Sequence, residues 1–191
     1  LYRRQQQHRH GLLGSVLTIH PARNALPVAP PSGYRGLLVA REGVLGPKRL
    51  TDPDGNKVTL VPPGAHGIER IGIRLGVRDA NAHRRFYAVA LGLPDVPEEG
   101  GDSFLCGDSV ILVEKADGIV PDPALEGSGF RYITVQIRNV DEEHNAILAR
   151  GGREGRAPQT LGKVARISFG RDPDGNWIEM SQRASLVGSL D

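Results

Sequence analysis

The chain has 191 residues, of which 39% are hydrophobic and 24% are charged, which is the composition of an ordinary soluble globular protein. The formal net charge of +2 does not indicate a nucleic-acid partner, and no apolar run is long enough to span a membrane. A single cysteine, Cys106, excludes an internal disulfide and, with no visible signal peptide, predicts a cytoplasmic location.

Residues 1–33 form a stretch that we leave unassigned. The basic cluster at 2–10 predicts a solvated helix end or a mobile terminus, and the segment LLGSVLTI at 12–19 could be a strand. A loop rich in proline and glycine follows. The chain begins with Leu1 rather than Met, which leaves open whether a natural start is missing.

The pentapeptide Asp-Pro-Asp-Gly-Asn occurs twice, at 52–56 and at 172–176. Proline sets φ for the second position of a β-turn, and glycine or asparagine tolerates positive φ. In both copies the next residues alternate between apolar and polar, as in a strand with one buried face. A turn that leads into a strand in the same phase, found twice, indicates an internal repeat.

A strand, a helix and two further strands are predicted from residue 68 onward. Alternation predicts a strand at 70–75, and Asp79 is a suitable N-cap for a helix over 80–91 that Gly92 ends. Residues 102–108 and 109–115 indicate a strand pair around a Gly-Asp turn.

The second half of the chain repeats this order. A strand at 131–137 precedes a helix at 142–150, with Asn139 or Asp141 as its cap, and strands follow at 164–170 and 176–182. Residues 68–115 and 130–182 are therefore predicted to be two copies of a strand, a helix and then two or three strands.

Each alternating strand has an apolar half and a polar or aromatic half. The apolar half is expected to pack under the helices that carry Phe86 and Ile147, and comprises Ile71, Ile73, Ile133, Val135, Ile178 and Met180. The other half comprises Arg70, Arg74, Tyr132, Thr134, Gln136, Trp177 and Glu179. Polar and aromatic side chains that face inward across a curved sheet suit a ligand cavity, and a solvent-exposed sheet face is the alternative.

The stretches at 67–93, 109–115, 129–152 and 169–182 resemble the vicinal oxygen chelate superfamily. This group includes glyoxalase I, type I extradiol dioxygenases, methylmalonyl-CoA epimerase and the bleomycin-resistance proteins. The segments FYAVALGL and DPDGNWIEM are characteristic in combination. The resemblance implies an α+β fold in which paired βαβββ modules form a half-open barrel around one site.

The resemblance also implies a domain organisation. Residues 68–182 match a complete two-module domain, 34–62 resemble a remnant of a preceding βαβββ domain, 63–67 are a linker and 183–191 are a tail. The first pentapeptide would then mark the end of an earlier module. A truncated two-domain protein and a decayed first domain both fit this pattern.

Proteins of this family usually hold a divalent metal with four side chains, from the first and last strand of each module. These positions fall on Arg70, Leu112, Tyr132 and Glu179, and only Glu179 matches a usual ligand. Leucine cannot ligate and arginine keeps its proton, so we expect no metal or other cofactor and a direct or water-mediated contact between Arg70 and Glu179.

The histidines do not restore a metal site. His66 falls in the linker, His83 and His144 fall on predicted helices where solvated faces are expected, and His8, His10 and His20 fall in the unassigned stretch. Cys106 has no base nearby in sequence and is expected to be a small buried apolar residue.

Two functions follow from the resemblance. The first is metal-independent binding of a small molecule, as in bleomycin-resistance proteins. The expected ligand-binding residues are Arg70, Arg74, Leu112, Tyr132, Thr134, Gln136, Trp177 and Glu179, with Val110 adding apolar surface to the cavity. The second is a glyoxalase- or dioxygenase-type enzyme, with Glu179 and Tyr132 as acid and base, or with a metal site completed by an absent N-terminal module or another subunit. A homodimer is expected because the partial module leaves a sheet uncovered.

Overall fold

The computed structural model describes residues 8–22, 24–26, 29–96 and 102–190, and within these ranges the strands form three sheets. The first is a hairpin of strands β1 (His8–Leu12) and β2 (Ser15–Ile19). The second sheet has six strands and the third has four. Neither sheet closes into a barrel, and the α+β class is confirmed.

The bounds of the remaining elements are as follows. The six-stranded sheet contains β3 (Tyr34–Ala40), β4 (Lys48–Thr51), β5 (Lys57–Val61), β6 (Ile71–Val77), β7 (Ser103–Cys106) and β8 (Ser109–Lys115). The four-stranded sheet contains β9 (Tyr132–Gln136), β10 (Arg153–Leu161), β11 (Ala165–Arg171) and β12 (Trp177–Arg183). The helices are α1 (Ala80–Arg85), α2 (Val140–Ala149) and the short α3 (Ala184–Val187), which lies in the predicted tail. The predicted linker contains a 3₁₀ turn at Ala65–Gly67.

The four-stranded sheet is a complete βαβββ module. Strand β9 leads through α2 to β10, β11 and β12, and β12 returns parallel to β9. Strand β10 was not predicted from the sequence. It lies at the sheet edge and is largely exposed, and it contains Pro158 and pairs with irregular register. Alternation is weak where neither face of a strand is buried.

The first copy builds its sheet together with the segment at 34–61. Strand β6 is parallel to β8, and its other edge pairs antiparallel with β3. Strand β3 is in turn parallel to β5, and β4 completes that side. The expectation that residues 34–62 would add strands beside the modules is confirmed, and they join the first module rather than the second.

Capping residues determine where both long helices begin. The Asp79 side chain accepts a hydrogen bond from Ala82 N, and the Asn139 side chain accepts from Asp141 N and Glu142 N. The first helix is α-helical only to Arg85, since residues Phe86–Ala90 continue as a π-helical turn. Gly92 then ends it with φ of +65°.

The main core lies between the helices and the two large sheets. Phe86, Ile147, Ile178 and Met180 are buried together, and Ile73, Ile133 and Val135 pack against them. The predicted strand phase is therefore confirmed for these residues. Ile71 is also buried but lies outside this cluster.

Replacing Ile178 with Ala should lower the free energy of unfolding by about 2–5 kcal/mol, because the side chain is fully buried and truncation leaves a cavity. Chemical denaturation of purified protein measures the change. Leu45→Ala is the control, because Leu45 is fully exposed and its truncation should have almost no effect. Equal losses at the two positions would mean that Ile178 is not buried in the core.

The second pentapeptide turn joins the two large sheets. Gly33 N donates to Asn176 Oδ1 at 2.6 Å, and the Tyr34 hydroxyl donates to the Trp177 carbonyl at 2.9 Å. A Cβ atom on Gly33 would lie 2.7 Å from Asn176 Nδ2, so this close approach requires glycine. Among the described residues, no helix is both long and apolar enough to cross a membrane.

Candidate functional site

One face of the four-stranded sheet brings together many of the predicted site residues. Register pairs Tyr132 with Trp177 and Thr134 with Glu179 across β9 and β12, and it pairs Phe169 of β11 with Glu179. Alternate residues of a strand point to the same side, so these side chains share a face, and Gln136 continues the row on β9. We call this surface the Glu179 face.

Aromatic rings cover one end of the Glu179 face. Tyr132 meets Phe169 edge to face with ring centres 5.7 Å apart, and Phe169 meets Trp177 in the same way at 5.7 Å. The Arg171 guanidinium lies 3.7 Å from the centre of the Trp177 ring. These contacts give a rigid aromatic surface beside a cation.

Glu179 lies at the centre of this face and is 9% exposed. Burial raises its pKa to about 7, and the positive charges of Arg183 and Arg9 oppose this shift only in part. A carboxyl group with this pKa exchanges a proton near neutral pH, as general acids and bases do.

Tyr132 and His20 form a second polar pair on the same side. The Tyr132 hydroxyl lies 3.2 Å from His20 Nε2. Burial, followed by the negative charge of Glu179, raises the pKa of Tyr132 to about 12, and burial lowers the pKa of His20. At neutral pH both groups are therefore uncharged, and the phenol is a hydrogen-bond donor.

The N-terminal hairpin contributes residues that the sequence did not connect with the site. Arg9 of β1 lies close enough to act on the charge of Glu179, and His20 follows directly after β2. The hairpin turn contacts the six-stranded sheet, where the Leu13 carbonyl accepts a bond from Arg70 and Ser15 Oγ lies 3.0 Å from Ser109 Oγ.

Arg70, Arg74 and Leu112 lie on the six-stranded sheet instead. Arg70 forms an ion pair with Asp108 at 2.5 Å, and Arg74 forms one with Glu114 at 3.1 Å. Arg70 and Glu179 both belong to the described part of the chain, and they do not form the expected contact. We therefore leave both arginines out of the candidate site.

Leu112 is buried under apolar side chains of its own chain. It packs with Val110 and Ile68, and Ile68 approaches so closely that a Cβ on Gly72 would lie 2.5 Å from its Cδ1 atom. The apolar cup predicted around Val110 and Leu112 is thus filled by Ile68 and its neighbours. Sequence alternation could not show this, because Ile68 comes from the turn before β6.

The residues present do not fit the metal centre that the family implies. Of the four expected positions, only Glu179 carries a usual metal ligand. Arg70 is paired with Asp108, and Leu112 is buried among apolar side chains. Within the described part of the chain, no three His, Cys, Asp or Glu side chains are grouped so that they could hold a metal ion. We therefore derive no chemistry through a metal.

His83 and His144 are buried, contrary to the expectation of solvated helix faces. His144 Nε2 lies 2.9 Å from Glu154 Oε2. His83 Nε2 lies 3.4 Å from Asp172 Oδ2 and 3.6 Å from Asp174 Oδ2. Burial opposes charge on His83, but hydrogen bonding to Asp172 and the carboxylate charges raise its pKa. Both histidines therefore lie in the interior beside carboxylates, away from the Glu179 face.

A sequence comparison identifies the family. Residues 67–180 match the sequence profile of the Glyoxalase/Bleomycin resistance protein/Dioxygenase superfamily, and the chain belongs to this superfamily.

Individual relatives are more distant. A probable lactoylglutathione lyase of the chloroplast from Arabidopsis thaliana is 27% identical over 128 residues, which cover 62% of this chain and 35% of that protein. Two variants of glyoxalase I from Zea mays share the fold, with TM-scores of 0.64 and 0.63 and identities of 17% and 18%. The matches cover 92% of this chain and 77% and 76% of the maize chains.

Proposed function

We propose that this protein binds a small oxygen-bearing molecule at the Glu179 face without a metal ion. The observation that carries the proposal is Glu179 itself, a buried carboxyl group with a pKa of about 7 beside an aromatic surface. Bleomycin-resistance-like binding is the role within the superfamily that needs no metal.

The chemistry of the face defines the class of ligand. Protonated Glu179 is a hydrogen-bond donor, and the Tyr132 hydroxyl adds a polar group that lies 3.2 Å from His20 Nε2. The largely buried rings of Trp177 and Phe169 form the apolar lining of this face. A neutral aromatic or unsaturated compound with oxygen acceptors satisfies both features. Thr134 and Gln136 are exposed on β9, where they can contact the polar part of such a ligand.

The pH dependence of binding tests the proposal. A library of neutral, oxygen-bearing aromatic fragments would be screened by ligand-observed NMR in buffer with EDTA, at pH values from about 6 to 8. Ionisation of Glu179 replaces a donor with a negative charge, so hits should bind more weakly as the pH rises through about 7. In Glu179→Gln this pH dependence should disappear.

Two results would count against metal-free binding at this face. Fragments that bind equally well at both ends of the pH range do not use Glu179. Fragments that bind only after a divalent metal is added point to the second candidate function. The control is Asp108→Asn, which changes an exposed carboxylate of the other large sheet.

The second candidate is an enzyme of the glyoxalase type, which the similarity to a probable lactoylglutathione lyase favours. It would require further ligands from residues outside those described or from a second subunit. An assay of lactoylglutathione lyase activity with added divalent metals distinguishes the candidates. The metal-free proposal predicts no metal-dependent activity from this chain.

The assembly and the cellular location stay predictions. A homodimer would cover the free edge of β9, which pairs only with β12 within the described residues. The free thiol of Cys106 agrees with a cytoplasmic location. Size-exclusion chromatography with light scattering measures the mass of the assembly.

A further inference from the structure

A second candidate site lies where α1, the end of α2 and the second pentapeptide turn meet. Two adjoining cavities of about 320 and 280 Å³ share Phe86, Gly151 and Pro173 as lining residues. Arg85 and Arg150 line the first cavity, and Arg153 and Arg171 line the second. Glu179 lines neither cavity, and Arg171, which also lies over the Trp177 ring, is the residue that this site shares with the Glu179 face.

Both cavities combine apolar surface with guanidinium groups. Phe86 and Pro173 contribute the shared apolar part, and Val89 of the π-helical turn is 58% exposed at the edge of the first cavity. Interruptions of this kind in an α-helix are frequent at functional sites. A flat apolar body with an anionic group has the matching chemistry.

The chain already places an anion between two of these arginines. Asp122 Oδ1 lies 2.6 Å from Arg153 Nη2 and 3.3 Å from Arg171 Nη1. Hydrogen bonding to Arg153, followed by its charge and that of Arg171, lowers the pKa of Asp122, so the group is a carboxylate at neutral pH.

The loop backbone fixes the position of Asp122. Its φ of +52° lies in the left-handed region, where aspartate and asparagine are enriched among the residues other than glycine. Asp122 N donates to the Asp174 carbonyl at 2.8 Å, and a Cβ on Gly175 would lie 2.2 Å from Asp122 Oδ1. These contacts keep the Asp122 carboxylate beside Arg153 and Arg171.

We propose that Arg153 and Arg171 form a binding site for the phosphate or carboxylate group of a small organic anion, and that Asp122 occupies this site when no ligand is bound. The ligand's apolar body then lies over Phe86 and Pro173. Asp122 is half exposed and can leave the arginines without opening the core.

Removing the internal carboxylate should strengthen binding of an external one. Wild type and Asp122→Asn would be titrated with phenyl phosphate and with benzoate at constant ionic strength by calorimetry. Asparagine tolerates positive φ, so the loop should keep its shape. We expect Asp122→Asn to bind one of the two probes on the order of tenfold more tightly than wild type, because charge-assisted hydrogen bonds to the arginines become available. The probe that gains more identifies the anionic group.

Two further variants separate this site from a general effect of charge. Asp108→Asn also removes an exposed carboxylate that is paired with an arginine. This variant should bind both probes with the same affinity as wild type. Adding Arg153→Gln to Asp122→Asn should abolish the gain. The proposal is overturned if Asp122→Asn binds no tighter than wild type, if Asp108→Asn gains equally, or if the gain survives loss of Arg153.

Discussion

Replacing Glu179 with Gln is expected to stabilise the protein at alkaline pH and to have little effect near pH 4. The folded state raises the pKa of Glu179 from 4.5 to about 7. A raised carboxyl pKa adds stability below the unfolded value, and this stability is lost as the pH rises through the folded value. Above pH 7 the buried charge therefore destabilises the protein by about 3 kcal/mol, which the neutral amide removes.

Urea denaturation of wild type and Glu179→Gln near pH 5 and near pH 8.5 measures this difference. Asp108→Asn is the control, since it also replaces a carboxylate with an amide but at an exposed position. A constant difference between wild type and Glu179→Gln across this range would show that Glu179 has the pKa of an ordinary exposed glutamate.

The duplicated turn provides the second prediction, because the chain contains its own control. Asp52 and Asp172 accept the same local bonds from the residues two and four positions later, at 3.0 and 2.8 Å. Asp172 is fully buried against His83, whereas Asp52 is exposed. We expect Asp172→Ala to cost about 3–5 kcal/mol, because it removes the nearer of the two carboxylates beside buried His83 and leaves the buried Asn176 N and Nδ2 donors without their acceptor.

Asp52→Ala should cost much less, since water replaces the lost hydrogen bonds at an exposed turn. Thermal and urea denaturation of the two variants give the comparison directly. Similar losses in both would show that the local turn, and not burial beside His83, makes Asp172 important.

Local signals in the sequence predicted much of the fold. The caps at Asp79 and Asn139, the alternating strands and the repeated turn all depend on neighbouring residues, and the structure confirms them. The pairing of strands across the chain is not local. Strand β6 pairs with β3 and not with a strand of the second module. This choice depends on contacts between residues far apart in the sequence, which an alternating pattern cannot predict.

In the candidate site too, local patterns predicted some residues, whereas others depend on long-range contacts. The sequence placed Tyr132, Trp177 and Glu179 on one face, because that follows from strand phase. It did not find His20 or Arg9, because the N-terminal stretch had no assigned role. Burial of Leu112 under Ile68 could not be predicted either, since Ile68 reaches it from a turn.

One signal in the sequence could have placed His20. Residues 15–19 read SVLTI, and residues 109–113 read SVILV, each after a turn that contains glycine. Both segments form the second strand of a hairpin, β2 and β8, and their first serines lie 3.0 Å apart. Residues 8–19 therefore share the local order of the β7–β8 hairpin, and His20 follows directly after β2.

The central claim is that Glu179 is a proton-exchanging group at a metal-free binding face. Carbon-13 NMR of the Glu179 carboxyl group, titrated with pH in the absence and presence of equimolar Zn²⁺, tests it most directly. We expect a titration midpoint at about 7 that Zn²⁺ does not move. A midpoint near 4.5, or a downward shift on addition of Zn²⁺, would contradict it.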